Sequence, residues 1–163
     1  MKPPRAVIAR FGLFLSVLMM LTLLTAPAVG AATPKTEAGR VVATAKAQLG
    51  DRWQLRGKGP DRFDCSGLVW YAFHQNELHD RIGGYRSVAG YFTYFKSLGL
   101  VSKTNPRIGD LVVWGANQHI GIYIGDGKAI STLTTRSGVT IHPVKGYLGV
   151  YFKAYLHTQI TRP

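Results

Sequence analysis

Cysteine is nearly absent from this sequence: the 163 residues contain one, Cys65. A single cysteine excludes a framework of intramolecular disulfides and a zinc site built from clustered cysteines. Acidic residues are also few, with 8 Asp and Glu against 20 Lys and Arg, which gives a formal net charge of +12. That charge is compatible with a nucleic acid, an anionic membrane or an anionic polymer as partner, and it selects none of them.

The sequence also lacks a metal-ligand spacing, a phosphate-binding loop and a nucleotide-binding fingerprint, so we expect no metal and no cofactor. No nucleic-acid partner is expected either, because the basic charge is not accompanied by a recognition motif. An apolar content of 46% excludes a wholly disordered chain. The length is typical of a single domain.

Residues 1–31 are predicted to be a secretory signal peptide. Three basic residues precede an uncharged run, Phe11–Ala32, whose most apolar part is followed by a tract of small residues. Val29 and Ala31 fit positions −3 and −1 of a cleavage site. The uncharged run is also long enough to span a bilayer, so an uncleaved membrane anchor remains an alternative. We expect the protein to be secreted or to lie in the cell envelope. A single free cysteine is unusual there and calls for a functional explanation.

The rest of the chain divides into a short flexible lead, 32–38, and one domain, 39–160. Apolar spacing and capping residues predict helices first and strands afterwards, which is an α+β order. The helices are predicted at Arg40–Leu49, from near Cys65, and from the capping residue Ser87 to about Leu98. The strands are predicted at Asp110–Trp114, His119–Ile124, around Ile130, Val139–His142 and Gly149–Leu156.

A hairpin is predicted between the second and third strands. The isoleucines of the second strand alternate toward one face, and Ile130 should join them. Pairing of Ile122 with Ile130 meets this requirement, and we predict a three-residue loop, 125–127, to set the register. On the other face Ser131 then lies opposite Gly121, where the missing side chain is expected to leave room.

Cys65 follows a glycine-rich loop and opens a predicted helix. A helix N-terminus favours a thiolate and supplies N–H groups for an oxyanion, so we expect a lowered thiol pKa. The candidate base is His119, which opens a strand and shares the face of Ser131. From the residues alone, an inert buried cysteine and a structural histidine remain equally open.

Four motifs, in order and suitably spaced, resemble the NlpC/P60 family of cell-wall cysteine peptidases over nearly all of the chain after residue 31. They are Phe63–Val69, Arg86-Ser87, Gly109–Val112 and His119–Gly127. The resemblance implies a papain-like fold, with N-terminal helices on an antiparallel sheet of about five strands. It also implies cleavage of peptidoglycan stem peptides at a γ-D-glutamyl–diamino acid bond, with Cys65 as nucleophile and His119 as general base.

The resemblance also implies substrate-binding positions. Asp64 would help to bind a free amine or polar backbone of the substrate, and Ser66 would support the same pocket. Trp53 stands where the family usually has tyrosine, and Arg56 replaces a glycine of the same stretch. Arg86 is a candidate for bidentate contact with a substrate carboxylate.

Ser131 lies twelve positions after His119, where the family usually has a third polar residue, often histidine. A hydroxyl can accept a hydrogen bond from the imidazole, but its reach is short and it carries no charge. A bridging water, Thr132 or His142 could substitute, although Thr132 is expected to face the core. Apart from this possible role of His142, we predict that His142 and His157 are surface residues.

Two alternatives to the peptidase remain: a wall-binding protein of the same fold, and an amidase or acyltransferase acting on another substrate with the same cysteine and histidine. Loss of residues 1–31 would leave 17 basic and 8 acidic residues, a net charge of +9. The expected partners are peptidoglycan peptides and, through this charge, anionic wall polymers. A membrane is expected only if the first segment is uncleaved, and the protein is expected to be a monomer.

Overall fold

The structure is a computed structural model, which describes residues 36–147 and 149–162. The chain separates into two units, Met1–Ala31 and Ala32–Pro163, and all described residues belong to the second. The predicted signal peptide therefore lies outside the described residues. Among the helices that are described, none combines the length and the apolar character needed to cross a membrane.

The described residues form three α-helices followed by a six-stranded antiparallel sheet, which confirms the α+β class. The helices are α1 (Glu37–Lys46), α2 (Cys65–His74) and α3 (Val88–Ser97), with a 3₁₀ helix at His79–Ile82. A short parallel pair, β1 (Arg52–Trp53) and β2 (Arg62–Phe63), precedes α2. The sheet contains β3 (Val101–Ser102), β4 (Leu111–Trp114), β5 (His119–Gly125), β6 (Lys128–Thr132), β7 (Val139–Pro143) and β8 (Phe152–Leu156), in the order β3-β8-β4-β5-β6-β7.

The number of strands and both bounds of α1 differ from the sequence prediction. The sheet has six strands rather than about five, because β3 pairs two residues with the end of β8, and two residues are too few to show alternation. Helix α1 begins at Glu37, inside the segment assigned to the lead, because the Thr36 hydroxyl caps the backbone N–H of Gly39. It ends at Lys46, so Leu49 lies beyond the helix.

Apolar side chains cover both faces of the sheet. The main core includes Ile120, Ile122 and Ile130 and is completed by residues of all three helices. Full burial of one such side chain contributes about 1.5–3 kcal/mol to the stability of the fold. A second, smaller core contains Trp114 and Tyr123. The exposed fraction of Trp114 is 1%.

The β5–β6 hairpin has the predicted register but a different turn. Ile122 pairs with Ile130, as the isoleucine face requires. The turn has two residues rather than three, Asp126 and Gly127, and both have positive φ, 50° and 67°, as in the type I′ turns of hairpins. The register is preserved by a shift within β5, at 123–125, where one extra residue is accommodated.

Asp110 of the Gly109–Val112 motif ties β4 to the C-terminal segment. Its buried carboxylate accepts hydrogen bonds from Arg162 at 2.7 Å, His157 at 2.8 Å and the backbone N–H of Thr158 at 3.0 Å. The surface position predicted for His157 is therefore wrong, because this carboxylate holds the ring and only 16% of its side chain is exposed. Asp110 of this motif therefore holds the C-terminal segment against β4.

Candidate active site

Cys65 is the first residue of α2, as predicted, and half-buried. The helix begins there because the carboxylate of Asp64 accepts a hydrogen bond from the N–H of Gly67 at 2.6 Å. The sulfur lies against the start of β5, where the backbone N–H of Ile120 favours its thiolate form, as does the N–H of Ser66. The helix N-terminus therefore brings the thiol to the residue that follows His119.

A loop backbone lies directly against the start of α2. A Cβ built on Gly67 would overlap the carbonyl oxygen of Gly57. That carbonyl accepts a hydrogen bond from the N–H of Asp64 at 2.9 Å. The glycine after Cys65 and Ser66 is therefore required by this close approach.

Asp64 and Ser66 form hydrogen bonds within the chain. Oδ1 of Asp64 accepts from the Ser66 hydroxyl at 2.8 Å, and Oδ2 accepts from the backbone N–H of Arg56 at 2.9 Å. Arg56 has a φ of 60°, the left-handed region that favours glycine. These bonds give Asp64 a structural role in the cap and the loop. Its part in substrate binding, and that of Ser66, stay predictions.

Trp53 lies beside the segment that leads into α2, and Arg86 lies against α3. Trp53 is half-buried and pairs with Phe63, two residues before Cys65. The guanidinium of Arg86 lies 4.5 Å from the ring centroid of Tyr94. Stacking of this kind holds the guanidinium in place. Contacts of these two side chains with substrate remain predictions.

His119 and Ser131 are brought together as predicted. Nε2 of His119 lies 2.8 Å from the Ser131 hydroxyl oxygen. A Cβ on Gly121 would lie 2.9 Å from the Cβ of Ser131. The predicted open space at Gly121 is therefore wrong, because Ser131 occupies the face that the glycine leaves bare. The missing side chain allows the serine, despite its short reach, to meet the imidazole.

His142 joins the same hydrogen-bonded chain. Its Nε2 lies 2.8 Å from the Ser131 hydroxyl, and its Nδ1 lies 3.0 Å from the carbonyl oxygen of Pro143. The surface position predicted for His142 is wrong, because its exposed fraction is 2%. The alternation of side chains along β7 could have predicted this position, because it places His142 on the same face of the sheet as Ser131.

Aromatic rings pack around this chain. Trp114 lies 5.4 Å, centroid to centroid, from both His119 and His142. Tyr147 stacks on His142 at 5.2 Å with an interplanar angle of 13°. The two imidazoles are therefore held in place on both sides of Ser131.

The electrostatics favour a neutral thiol and a neutral imidazole. Burial raises the pKa of the Cys65 thiol to about 11, and this outweighs the N–H groups that favour the thiolate. Burial, with a smaller contribution from the charge that His142 carries when protonated, lowers the pKa of His119 to about 4. The expectation of a lowered thiol pKa is therefore wrong for this structure. The imidazole is present near pH 7 as a free base, which suits proton abstraction.

A cleft of about 550 Å³ opens beside His119. Its remaining lining residues are Gln118, Leu133, Thr134, Tyr147 and Val150. A peptide side chain can therefore lie next to the imidazole against a partly apolar wall. Within residues 36–147 and 149–162, no group of three His, Cys, Asp or Glu side chains is arranged to hold a metal ion.

The sequence profile of the NlpC/P60 family matches residues 50–160. The chain belongs to the NlpC/P60 family. One relative is LytE of Bacillus subtilis, described as a probable peptidoglycan endopeptidase, 33% identical over 95 residues that make up 56% of this chain and 26% of LytE. Another is the murein DD-endopeptidase MepH of Escherichia coli, 30% identical over 100 residues, 58% of this chain and 35% of MepH. The matched region thus spans well under half the length of these relatives.

Solved NlpC/P60 structures have the same fold. The NlpC/p60 domain of the peptidoglycan hydrolase SagA is 25% identical, with a TM-score of 0.59, and the match covers 74% of this chain and 98% of that domain. The peptidoglycan hydrolase RipB of Mycobacterium tuberculosis is 26% identical, with a TM-score of 0.56 and coverage of 77% and 64%. The predicted NlpC/P60 fold, with helices packed on an antiparallel sheet, is therefore confirmed.

Proposed function

We propose that this protein is a secreted cysteine endopeptidase that hydrolyses peptidoglycan stem peptides. Cys65 is the nucleophile and His119 the general base. The observation that carries this proposal is the position of the thiol at the N-terminus of α2, against the β5 residue that follows His119. The names of the family relatives supply the substrate class.

The neutral Cys65 thiol and the neutral His119 imidazole define the first step. His119 takes the proton of the Cys65 thiol while the sulfur attacks the peptide carbonyl carbon. The carbonyl oxygen becomes an oxyanion, and the N–H groups at the start of α2 are its donors. The imidazolium then returns the proton to the leaving amine, which leaves a thioester on Cys65. Water, deprotonated by His119, hydrolyses that thioester and restores the thiol.

The scissile bond proposed is the γ-D-glutamyl–diamino acid bond of the stem peptide. Asp64, Ser66, Trp53 and Arg86 are the proposed substrate-binding residues. The first three lie in or next to the segments around the start of α2. Arg86 is proposed from the resemblance of the Arg86-Ser87 motif to the family. Ser131 is the proposed third catalytic residue, since its hydroxyl lies within hydrogen-bond distance of His119.

Export and basic charge fit this substrate. The segment 1–31 would direct the protein out of the cytoplasm and into the compartment that contains peptidoglycan. The net charge of +9 of the remaining residues would hold a monomer near anionic wall polymers. This association weakens with added salt if it is electrostatic.

Mass analysis of digested peptidoglycan tests the proposal. Purified peptidoglycan is incubated with the wild type, with Cys65→Ala and with His74→Ala, which removes an exposed histidine from the same helix. The wild type and His74→Ala should release peptides that begin with the diamino acid and leave stems that end in D-glutamate, and Cys65→Ala should release none while remaining folded. Fragments cut at a DD-peptide bond would correct the scissile bond.

A wall-binding protein without turnover is a second candidate, because the high thiol pKa and the serine at position 131 both weaken a nucleophilic cysteine. It predicts saturable sedimentation with peptidoglycan that is the same for the wild type and Cys65→Ala, with no fragments. An amidase or acyltransferase using the same residues would instead give product masses unrelated to wall peptides.

A further inference from the structure

We infer that His142 is a positioning residue that fixes the orientation of the Ser131 hydroxyl and, through it, the proton position on His119. The inference rests on the proposed roles of Cys65 and His119. It assigns a fourth residue to the site, on a neighbouring strand, in addition to the serine. The hydrogen-bond distances along the chain carry it.

The direction of every bond in this chain follows from its last member. The carbonyl oxygen of Pro143 can only accept, so Nδ1 of His142 carries the proton. In the neutral ring Nε2 is then an acceptor, and the Ser131 hydroxyl donates to it. The lone pairs of that hydroxyl face His119, so Nε2 of His119 donates to Ser131.

This direction decides which nitrogen of His119 acts as base. With the proton on Nε2, the lone pair lies on Nδ1 and is free to take the thiol proton from Cys65. In the other tautomer Nδ1 carries a proton and cannot act as a base. The carbonyl of Pro143 therefore selects the competent tautomer of His119, a ring three hydrogen bonds away.

Ser131 by itself does not determine the tautomer of His119, because a hydroxyl can both donate and accept a hydrogen bond. Without His142, Ser131 is free to donate its proton to Nε2 of His119, which stabilises the wrong tautomer. A side-chain acceptor that cannot donate would not have this ambiguity. His142 removes it by engaging the hydroxyl proton.

The surroundings suit a fixed chain. His142 is buried and its ring is stacked on Tyr147, so it has few alternative orientations. Burial lowers the pKa of His142 as well as that of His119. His142 therefore stays neutral, with Nε2 as acceptor, while His119 gains and loses a proton during turnover.

The first test uses the wild-type protein and no substrate. Long-range ¹H–¹⁵N correlation spectra report which ring nitrogen of each histidine carries a proton. At pH 7 we expect His119 with its proton on Nε2 and His142 with its proton on Nδ1. A protonated Nε2 on His142 would reverse the chain and overturn the inference.

The second test is a double-mutant cycle of Ser131→Ala and His142→Phe, with phenylalanine keeping the ring stack on Tyr147. Each single change should lower kcat about tenfold with little change in KM, because ground-state contacts with substrate are untouched. The double variant should be no slower than Ser131→Ala alone. Multiplied losses would mean that His142 acts independently of Ser131, and an unchanged kcat in His142→Phe would also overturn the inference.

The spectra separate this inference from the proposed function. In His142→Phe the His119 signals should shift toward the Nδ1-protonated tautomer, whether or not peptidoglycan is the substrate. A wild type that shows the expected tautomers but cleaves no wall peptide would contradict the proposed function alone. Cleavage of wall peptides with unchanged His119 tautomers in His142→Phe would contradict the positioning role alone.

Discussion

The carbonyl oxygen of Gly57 occupies the space in which a side chain at Gly67 would lie. The glycine-rich loop and α2 thus meet backbone to backbone. The same carbonyl accepts the N–H of Asp64, the residue that caps the helix. The position of Cys65 depends on this contact.

Gly67→Ala should destabilise the fold by more than about 2 kcal/mol, because the new Cβ would displace the loop backbone. The melting temperature and circular dichroism measure this. Gly90→Ala is the matched control, since Gly90 has the same position after its cap, Ser87, and its Cβ would lie 3.2 Å from the nearest atom. Equal effects at both glycines would contradict the close-approach explanation.

Arg56→Gly should stabilise the protein by about 0.5–1 kcal/mol, because a φ of 60° is strained for a residue with a Cβ. Denaturant unfolding gives the difference in free energy. Arg56→Ala removes the same charge and keeps the strain, so it should not produce this gain. A gain in both variants would assign the effect to the arginine charge instead.

Folding stability should fall as the pH falls from about 6.5 to about 4. The pKa of His119 is lowered to about 4 in the folded protein, so between these values the unfolded chain binds more protons. The contribution of His119 to the free energy of unfolding is therefore fully present above about pH 6.5. Acidification removes this contribution, which is on the order of 3 kcal/mol. Unfolding curves at several pH values measure it, and His119→Gln should flatten the dependence.

Alkylation of Cys65 by iodoacetamide should accelerate with pH well beyond pH 8, because burial raises the pKa of the thiol to about 11. Rates measured by mass spectrometry from pH 5 to 10 give the profile. A rate that is already constant below pH 8 would show a preformed thiolate and contradict the neutral pair. Cys65→Ser supplies the unlabelled control.

Asp110→Asn should destabilise the domain by about 1.5–3 kcal/mol, because the buried carboxylate that accepts hydrogen bonds from Arg162 and His157 would be lost. Thermal unfolding measures the loss. Asp80→Asn is the control, since the side chain of Asp80 is 93% exposed. A loss no larger than the control would show that the C-terminal segment is held by its backbone contacts.

Local chemistry explains why much of the site was predictable. The start of α2 follows from the Asp64 cap, and the pairing of Ile122 with Ile130 follows from the alternation of one apolar face. The short strand β3 left no periodic signal, and the turn at Asp126 could not be distinguished from a longer loop because a bulge restores the same register.

The sequence by itself determined the helix that carries Cys65, the strand that begins at His119 and the apolar faces that bring them together. These depend on capping, alternation and burial, which act over a few residues. Only the tertiary structure decided that His142 meets Ser131 and that the thiol and imidazole are neutral. The reason is that a hydrogen bond across strands and the desolvation of a charge both depend on residues far apart in the chain.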